Sequence, residues 1–80
     1  MTNPIKVAIF GAGRWGTHLI RNFYQHPQAQ VVAIADPHFE RLQKAKERLL
    51  LDDTVQLETD WFKVINDGEL DAVVIATPAS

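Results

Sequence analysis

The sequence predicts an α/β fold in which parallel strands alternate with helices. Three observations indicate this class: short apolar runs that suit strands buried on both faces, stretches of helical period between them, and a glycine-rich turn where the first run meets the first helix. Hydrophobic residues make up 46% of the 80 residues and charged residues 22%, which is typical of one small globular domain.

The first half of the chain contains two such strands and one helix. Ile5 to Phe10 is a nearly continuous apolar run, and VVAIAD, residues 31–36, is the next. Between them the apolar positions from Trp15 to Tyr24 recur at helical spacing. Pro27 ends this helix, because the residue before a proline is driven out of helical geometry.

The second half repeats the alternation. HFERLQKAKERLLL, residues 38–51, predicts a helix, and Val55 to Leu57 predicts a short third strand. Asp60 can cap a helix from Trp61 to about Asn66, and DAVVIATP, residues 71–78, predicts a fourth strand. Right-handed crossovers then give a parallel sheet, and for a doubly wound sheet we expect the order 3-2-1-4. Because no helix follows the last strand, residues 1–80 are interpreted as the N-terminal part of a larger domain; a complete four-stranded domain is the alternative.

The glycine turn has the spacing G-x-G-x-x-G, formed by Gly11, Gly13 and Gly16. The first glycine permits the sharp turn out of the strand, the second lets a pyrophosphate approach the backbone, and the third lets the helix lie close to the strand. The free N–H groups from Arg14 to Gly16 would then face the anion at the positive end of the helix dipole. The pattern predicts a dinucleotide site.

Asp36 ends the second strand 20 residues after Gly16, where such a site places an acid for the adenosine ribose. The alternative is a turn residue before Pro37. A carboxylate here repels the 2′-phosphate of NADP, so NAD is the expected cofactor. NADP stays open because a protonated His38 could help to bind that phosphate, whereas Arg41 is interpreted as a solvated surface charge.

Other candidates border this site. Thr77 and Pro78 follow the fourth strand and would line the cofactor at the switch point of the sheet, unless they form an ordinary turn. Trp15 either closes over the pyrophosphate or packs on the sheet, and its helical stripe favours packing. Arg14 is a candidate phosphate neighbour.

Composition excludes several classes of function. The chain has no cysteine and a formal net charge of −2, so we expect no thiolate site and no nucleic-acid or anionic-membrane partner. The three histidines lack metal-ligand spacing, and no serine lies in a nucleophile elbow. From the histidine spacing and the lack of cysteine we expect no metal site. No apolar segment approaches membrane-spanning length, so we expect a cytoplasmic protein.

The segments VAIFGAGRWGTHLIRNF, VVAIADPHFERLQKAKE and LDAVVIATPAS resemble the N-terminal domain of the glucose–fructose oxidoreductase/inositol dehydrogenase family (Gfo/Idh/MocA). The resemblance spans Ile5 to Ser80 and implies a Rossmann-like fold. It implies that the following residues line or border an NAD(P) site: Gly11, Gly13, Arg14, Trp15, Gly16, Asp36, Ala76, Thr77 and Pro78.

The resemblance also implies an oxidoreductase. Such a protein moves hydride between the nicotinamide and a carbon bearing a sugar, polyol or nucleotide-sugar hydroxyl, and we expect it to be a homo-oligomer when intact. GRWGTHLIRNF further resembles members that act on nucleotide-linked amino sugars and their uronic acids. Family members continue into a Glu-Lys-Pro motif with a catalytic lysine and then a larger domain. Neither lies in residues 1–80, so no catalytic residue is assigned and the 80 residues alone are expected to be inactive.

Two alternatives remain from the residues. S-adenosylmethionine-dependent methyltransferases also use a glycine turn and an acid after the second strand. A non-catalytic module could instead sense a dinucleotide and shift the equilibrium of a partner, since fold alone does not separate sensor from enzyme.

Overall fold

The computed structural model describes residues 4–66 and 70–76. Strands and helices alternate through this part of the chain in the predicted order. The elements are β1 (Ile5–Phe10), α1 (Arg14–Gln25), β2 (Ala29–Ala35), α2 (Phe39–Leu49), β3 (Gln56–Glu58), α3 (Trp61–Asn66) and β4 (Ala72–Ile75).

The four strands form one parallel sheet of order β3-β2-β1-β4, which confirms the predicted order. The register between β1 and β2 shifts by one residue. Val7 is paired with Val31 but Ala8 with Ala33, so Val32 is the extra residue of a bulge.

Some element ends differ from prediction. The second strand begins at Ala29, earlier than the predicted 31–36, and the third strand is displaced by one residue. The second helix ends at Leu49, although an apolar run continues to residue 51. It ends there because Leu50 adopts the left-handed conformation, with φ 53° and ψ 44°, and its N–H bonds back to the carbonyl of Lys46.

The core lies on both faces of the sheet. Helices α1 and α2 cover one face, where Ile20 and Leu42 are fully buried against Ile9 and Ile34. Helix α3 covers the other face through Val64. Parallel strands buried on both faces are what continuous apolar runs predict.

Trp15 corrects the sequence prediction. The helical stripe favoured packing on the sheet, but Trp15 is 70% exposed. It lies in the first turn of α1 and is one of the residues that line the cleft beside the glycine turn. Phe39, in the first turn of α2, is likewise 47% exposed.

Among residues 4–66 and 70–76, no helix has the length and apolarity that crossing a membrane requires.

Candidate functional site

The carboxyl ends of β1 and β2 meet the N-terminus of α1 at one corner of the sheet. The N–H of Gly11 donates to the carbonyl of Ala35 at 2.7 Å, which continues the β1–β2 pairing past the end of the strand. In the same way the N–H of Asp36 donates to the carbonyl of Glu58 at 3.1 Å. The glycine turn and Asp36 are therefore held side by side by the sheet itself.

Two of the three glycines in the turn are required by the fold. Gly11 has φ 106°, a conformation that L side chains rarely adopt. A Cβ on Gly16 would lie 1.8 Å from the carbonyl oxygen of Gly11, which no small adjustment relieves. The first glycine makes the turn and the third lets the helix close on it, as the sequence predicts.

Gly13 is different, because neither conformation nor packing requires a glycine there. Its φ of −77° suits any residue, and the nearest heavy atom to an added Cβ would be Nη1 of Arg41, at an ordinary 3.9 Å. The open space beside Gly13 belongs to a cleft on the protein surface. The missing side chain leaves the backbone accessible from outside the chain.

The N-terminus of α1 is also left open to this cleft. Gly13 is the N-cap residue and has no side chain to cap the helix, and the first turn contains no acidic residue. The first hydrogen bond of the helix is donated by the N–H of Thr17 to the carbonyl oxygen of Gly13, at 2.8 Å. The preceding N–H groups, from Arg14 to Gly16, have no partner within the helix and lie at the positive end of its dipole. By contrast, Asp60 caps α3 by accepting from the N–H of Phe62 at 3.0 Å, as predicted.

Asp36 is buried, with 4% of its surface exposed, and its carboxylate connects the glycine turn to the start of α2. Oδ2 accepts from the N–H of Ala12 at 2.9 Å, and Oδ1 accepts from the N–H of His38 at 2.8 Å. Burial alone would raise the pKa of this carboxyl, but the hydrogen bonds from Ala12 and His38 and the charge of Arg41 outweigh it. The pKa of Asp36 therefore lies below its ordinary value, and the group is an anion at neutral pH.

Two side chains from the start of α2 flank this carboxylate. Nδ1 of His38 lies 3.3 Å from Oδ1 of Asp36, and Nη1 of Arg41 lies 3.8 Å from Oδ2. The sequence predicts that Arg41 is a solvated surface charge, and its side chain is indeed 52% exposed. Its guanidinium nevertheless lies beside the carboxylate of Asp36, so that Asp36, His38 and Arg41 together form what we call the acidic corner.

The cleft runs from the glycine turn between α1 and α2 and has a volume of about 840 Å³. Five cationic side chains line it, and no carboxylate does: Arg14, Arg21, Arg41, Lys44 and Arg48. Within the described residues only Arg41 of these five lies within 4 Å of a carboxylate. A chain of net charge −2 thus concentrates positive charge in one cleft, which suits a ligand with more than one anionic group.

Sequence reasoning missed most of these cations. Their spacing was a usable signal: Arg14 and Arg21 are seven residues apart on one helix, and Arg41 and Arg48 are seven apart on the next. Residues seven apart share a helix face. Which two faces would meet across a cleft depends on helix packing, which the spacing does not give.

The remaining candidates lie at the rim of the cleft. Trp15 and Ala76 are among its lining residues, and the N–H of Ala76 donates to the carbonyl of Phe10 at 2.7 Å. The ring centre of Trp15 lies 6.5 Å from that of His18, also a lining residue. Thr77 and Pro78 lie outside the described residues.

Residues 5–80 match the Gfo/Idh/MocA family, described as an oxidoreductase family with an NAD-binding Rossmann fold. Inositol 2-dehydrogenase 4 of Saccharopolyspora erythraea is 39% identical over 75 residues, which are 92% of this chain and 21% of that protein. The scyllo-inositol 2-dehydrogenase (NAD(+)) of Bacillus subtilis is 30% identical over 81 residues, or 100% of this chain and 23% of that protein.

Solved structures agree in fold. The myo-inositol dehydrogenase of Corynebacterium glutamicum superposes with a TM-score of 0.78 at 29% identity, over 94% of this chain and 21% of that one. The chain thus spans about a fifth of the length of the relatives it matches.

Proposed function

Because the chain belongs to the Gfo/Idh/MocA family of oxidoreductases, we propose that its cleft binds the adenosine and pyrophosphate parts of NAD. Residues 1–80 would be the N-terminal part of a dinucleotide-binding domain. The whole protein would transfer hydride between the nicotinamide and a carbon bearing a sugar, polyol or nucleotide-sugar hydroxyl. The bound cofactor supplies the redox chemistry, and these residues hold and orient it.

Gly13 is the observation that carries this proposal. The fold itself would accept a side chain at this position, since φ is −77° and the space beside the backbone is open. A ligand that touches the backbone would not accept one. Together with the uncapped N-terminus of α1, this gives a pyrophosphate a set of free N–H groups without a Cβ in the way.

The other cofactor roles follow from position. Arg14 and Gly16 would lie beside the phosphates, Trp15 and Ala76 at the rim, and Thr77 and Pro78 would continue that rim. Asp36 would accept a hydrogen bond from a ribose hydroxyl chiefly through Oδ2, which keeps a second acceptor site beyond its bond from Ala12. Oδ1 already accepts from the N–H of His38 and lies 3.3 Å from Nδ1 of that residue. Gly11 would act through the shape of the turn.

The same charges disfavour the methyltransferase alternative. S-adenosylmethionine carries a sulfonium cation and no phosphate, whereas five cationic side chains line this cleft. Nothing in residues 4–66 and 70–76 distinguishes a sensor from an enzyme, and the names of the relatives favour the enzyme. A sugar-type substrate, a homo-oligomeric assembly and a cytoplasmic location are part of the same proposal.

The test is a titration of the full chain with NADH, followed by energy transfer from tryptophan, in the parent and in Gly13→Ala. Asn22→Ala, an exposed change on α1 away from the lining of the cleft, is the matched control. We expect saturable binding by the parent and the control, and a loss of about tenfold or more in Gly13→Ala, since even small misplacement at a tight contact costs about 1–3 kcal/mol.

Circular dichroism and a thermal melt on each variant establish that the chain is folded. Equal NADH affinity in the parent and Gly13→Ala would overturn the proposed role of the turn. A folded parent that binds no NADH would overturn the proposal itself.

A further inference from the structure

The cleft extends along α1 and α2, away from the glycine turn. Both helices follow strands of one parallel sheet and cover the same face, so they run in the same direction. Arg21 lies seven residues after Arg14 on α1. Arg48 lies seven residues after Arg41 on α2. Because seven residues of helix span about 10 Å, Arg21 and Arg48 line what we call the far end of the cleft.

The charged side chains of α2 are separated by sign onto different faces. Lys44 and Arg48 line the cleft, whereas Glu47 lines a separate groove beside β3. Lys44 and Arg48 are four residues apart, so two like charges are neighbours on one helix face, which opposes helix formation. In the part of the chain that the structure describes, no carboxylate lies within 4 Å of the charged group of Arg21, Lys44 or Arg48. The far end therefore has cations that no described carboxylate neutralises.

A dinucleotide bound at the glycine turn would leave the far end without an anion. Its pyrophosphate would lie at the N-terminus of α1, and its adenosine ribose would lie beside Asp36. Both positions are at the carboxyl ends of the strands, where the two helices begin. On each helix the nearer cation, Arg14 or Arg41, lies between these positions and the far end. Arg21 and Arg48 therefore remain available to another ligand.

The side chains at the far end suit a phosphate monoester. Each guanidinium presents a planar fork of donors that matches two oxygens of a phosphate, and the ammonium of Lys44 adds a third positive charge. A phosphate monoester carries about 1.5 to 2 negative charges at pH 7 and has three acceptor oxygens, more than a carboxylate offers. Ala45 is buried and Leu49 is partly buried in the same cleft, so apolar surface is available to the carbon skeleton of such a ligand.

We propose that Arg21, Lys44 and Arg48 form a second anion site, which binds the phosphate group of a phosphorylated small molecule other than the dinucleotide. Because these cations line a concave site between two helices, they fit a small molecule better than the flat surface of a partner protein. The inference goes beyond the proposed function, since neither ligand needs the other in order to bind. The Debye length at physiological ionic strength is about 8 Å, so charges about 10 Å apart are largely screened from each other.

The experiment titrates the isotope-labelled full chain with inorganic phosphate at constant ionic strength, in the presence of saturating NADH. NMR spectra follow the Nε–H resonances of the arginines, and acetate is the comparison anion. The variants are Arg21→Gln, Arg48→Gln and, as a matched control, Lys46→Gln. Lys46 is a cation of α2 that pairs with Asp53 at 2.7 Å and does not line the cleft. The amide spectrum of each variant establishes that it is folded.

We expect the resonances of Arg21 and Arg48 to shift saturably with phosphate, with one dissociation constant, and not with acetate. Arg21→Gln and Arg48→Gln should each weaken phosphate binding by about tenfold to a hundredfold, the range of a charged hydrogen bond. Each should change the dissociation constant of NADH by less than about threefold, because the two sites are screened from each other. Lys46→Gln should behave as the parent.

Any of three results would overturn the inference. The first is no saturable shift at Arg21 or Arg48, including the case in which phosphate shifts only the resonances of the glycine turn. The second is a shift that acetate reproduces. The third is a loss of NADH affinity in Arg48→Gln as large as its loss of phosphate affinity, which would assign the far end to the dinucleotide site. If the folded parent binds no NADH, the proposed function fails, and the phosphate titration without NADH still tests the far end by itself.

Discussion

The glycine turn and the acidic corner lie side by side but are built on different principles. The turn is backbone: Gly11 is fixed by φ 106° and Gly16 by its contact with the carbonyl of Gly11. The corner depends on polar side chains: the carboxylate of Asp36 accepts hydrogen bonds from Ala12 and His38, and the guanidinium of Arg41 lies 3.8 Å from it. An added side chain at Gly11 or Gly16 would disturb the backbone of the turn, whereas a single substitution can change the charge of the corner without a steric clash. A substitution in the turn should therefore disturb the backbone, whereas a substitution in the corner should change its charge and hydrogen bonds.

The use of glycine in this chain supports the same distinction. Leu50 occupies a left-handed position, with φ 53°, where the fold would favour glycine. Gly13 occupies a position where the fold does not need one. Glycine is therefore absent at a position where the backbone conformation favours it, and present at a position where neither conformation nor packing requires it.

Gly16→Ala should have the largest effect. The added Cβ would lie 1.8 Å from the oxygen and 2.5 Å from the carbon of the Gly11 carbonyl, and both are backbone atoms. We expect a loss of about 3 kcal/mol or more in the free energy of unfolding, at the upper end of overpacking, measured by urea denaturation. A loss below about 1 kcal/mol would show that the turn is adaptable and would break the contrast with the corner.

Acid should weaken the corner, including the hydrogen bond from Ala12 in the turn. The folded pKa of Asp36 is lowered, so its contribution to stability is complete above the unfolded pKa of about 3.9 and is lost as the pH falls through the folded value. At pH 7 we expect the parent to exceed Asp36→Asn by about 2 kcal/mol, the size of a charged hydrogen bond. The difference should shrink below about pH 4.

Salt provides the control for this pH series. The pKa values of two exposed carboxyls are also lowered. That of Asp52 is lowered chiefly by its hydrogen bonds with Thr54, and that of Glu58 chiefly by the hydrogen bond from the N–H of Asp60. Added salt screens exposed charges more than the buried Asp36. A difference between parent and Asp36→Asn that stays constant from pH 7 to pH 3 would contradict the assignment.

Leu50→Gly should have the smallest effect, and in the opposite direction. Leu50 is 83% exposed, so its side chain contributes little burial, and glycine relieves the left-handed strain. We expect a gain of about 0.5–1 kcal/mol in thermal or urea unfolding, with unchanged NADH affinity because the residue lies outside the cleft lining. A net loss of stability would mean that φ alone does not identify where this fold needs glycine.

The sequence was sufficient to predict the architecture and the structural roles of Gly11 and Gly16. Parallel pairing follows from alternating elements and right-handed crossovers, and the observed order 3-2-1-4 is the one expected of this kind of doubly wound sheet. The spacing that linked Gly16 to Asp36 predicted two positions that the fold brings together.

Side-chain placement at the corner was not predictable in the same way. Trp15 belongs to an apolar stripe by spacing, yet it lies in the first turn of α1, lines the cleft and is exposed. Arg41 carries no local signal that it lies over Asp36, because that contact depends on how α2 leaves β2. Periodicity identifies a helix face but not the object that the face meets.

The bulge at Val32 has a consequence for the direction of Asp36. Along an unbroken strand, side chains alternate between faces, yet Val31 and Ile34 both belong to the core under α1 and α2, while Ala33 and Ala35 belong to the opposite core. The extra residue reverses the phase of everything after it. A strand that kept Val32 but ran without the bulge would turn the carboxylate of Asp36 toward α3, away from Ala12 and the cleft. A single irregularity in the parity of β2 thus decides on which side of the sheet this carboxylate lies.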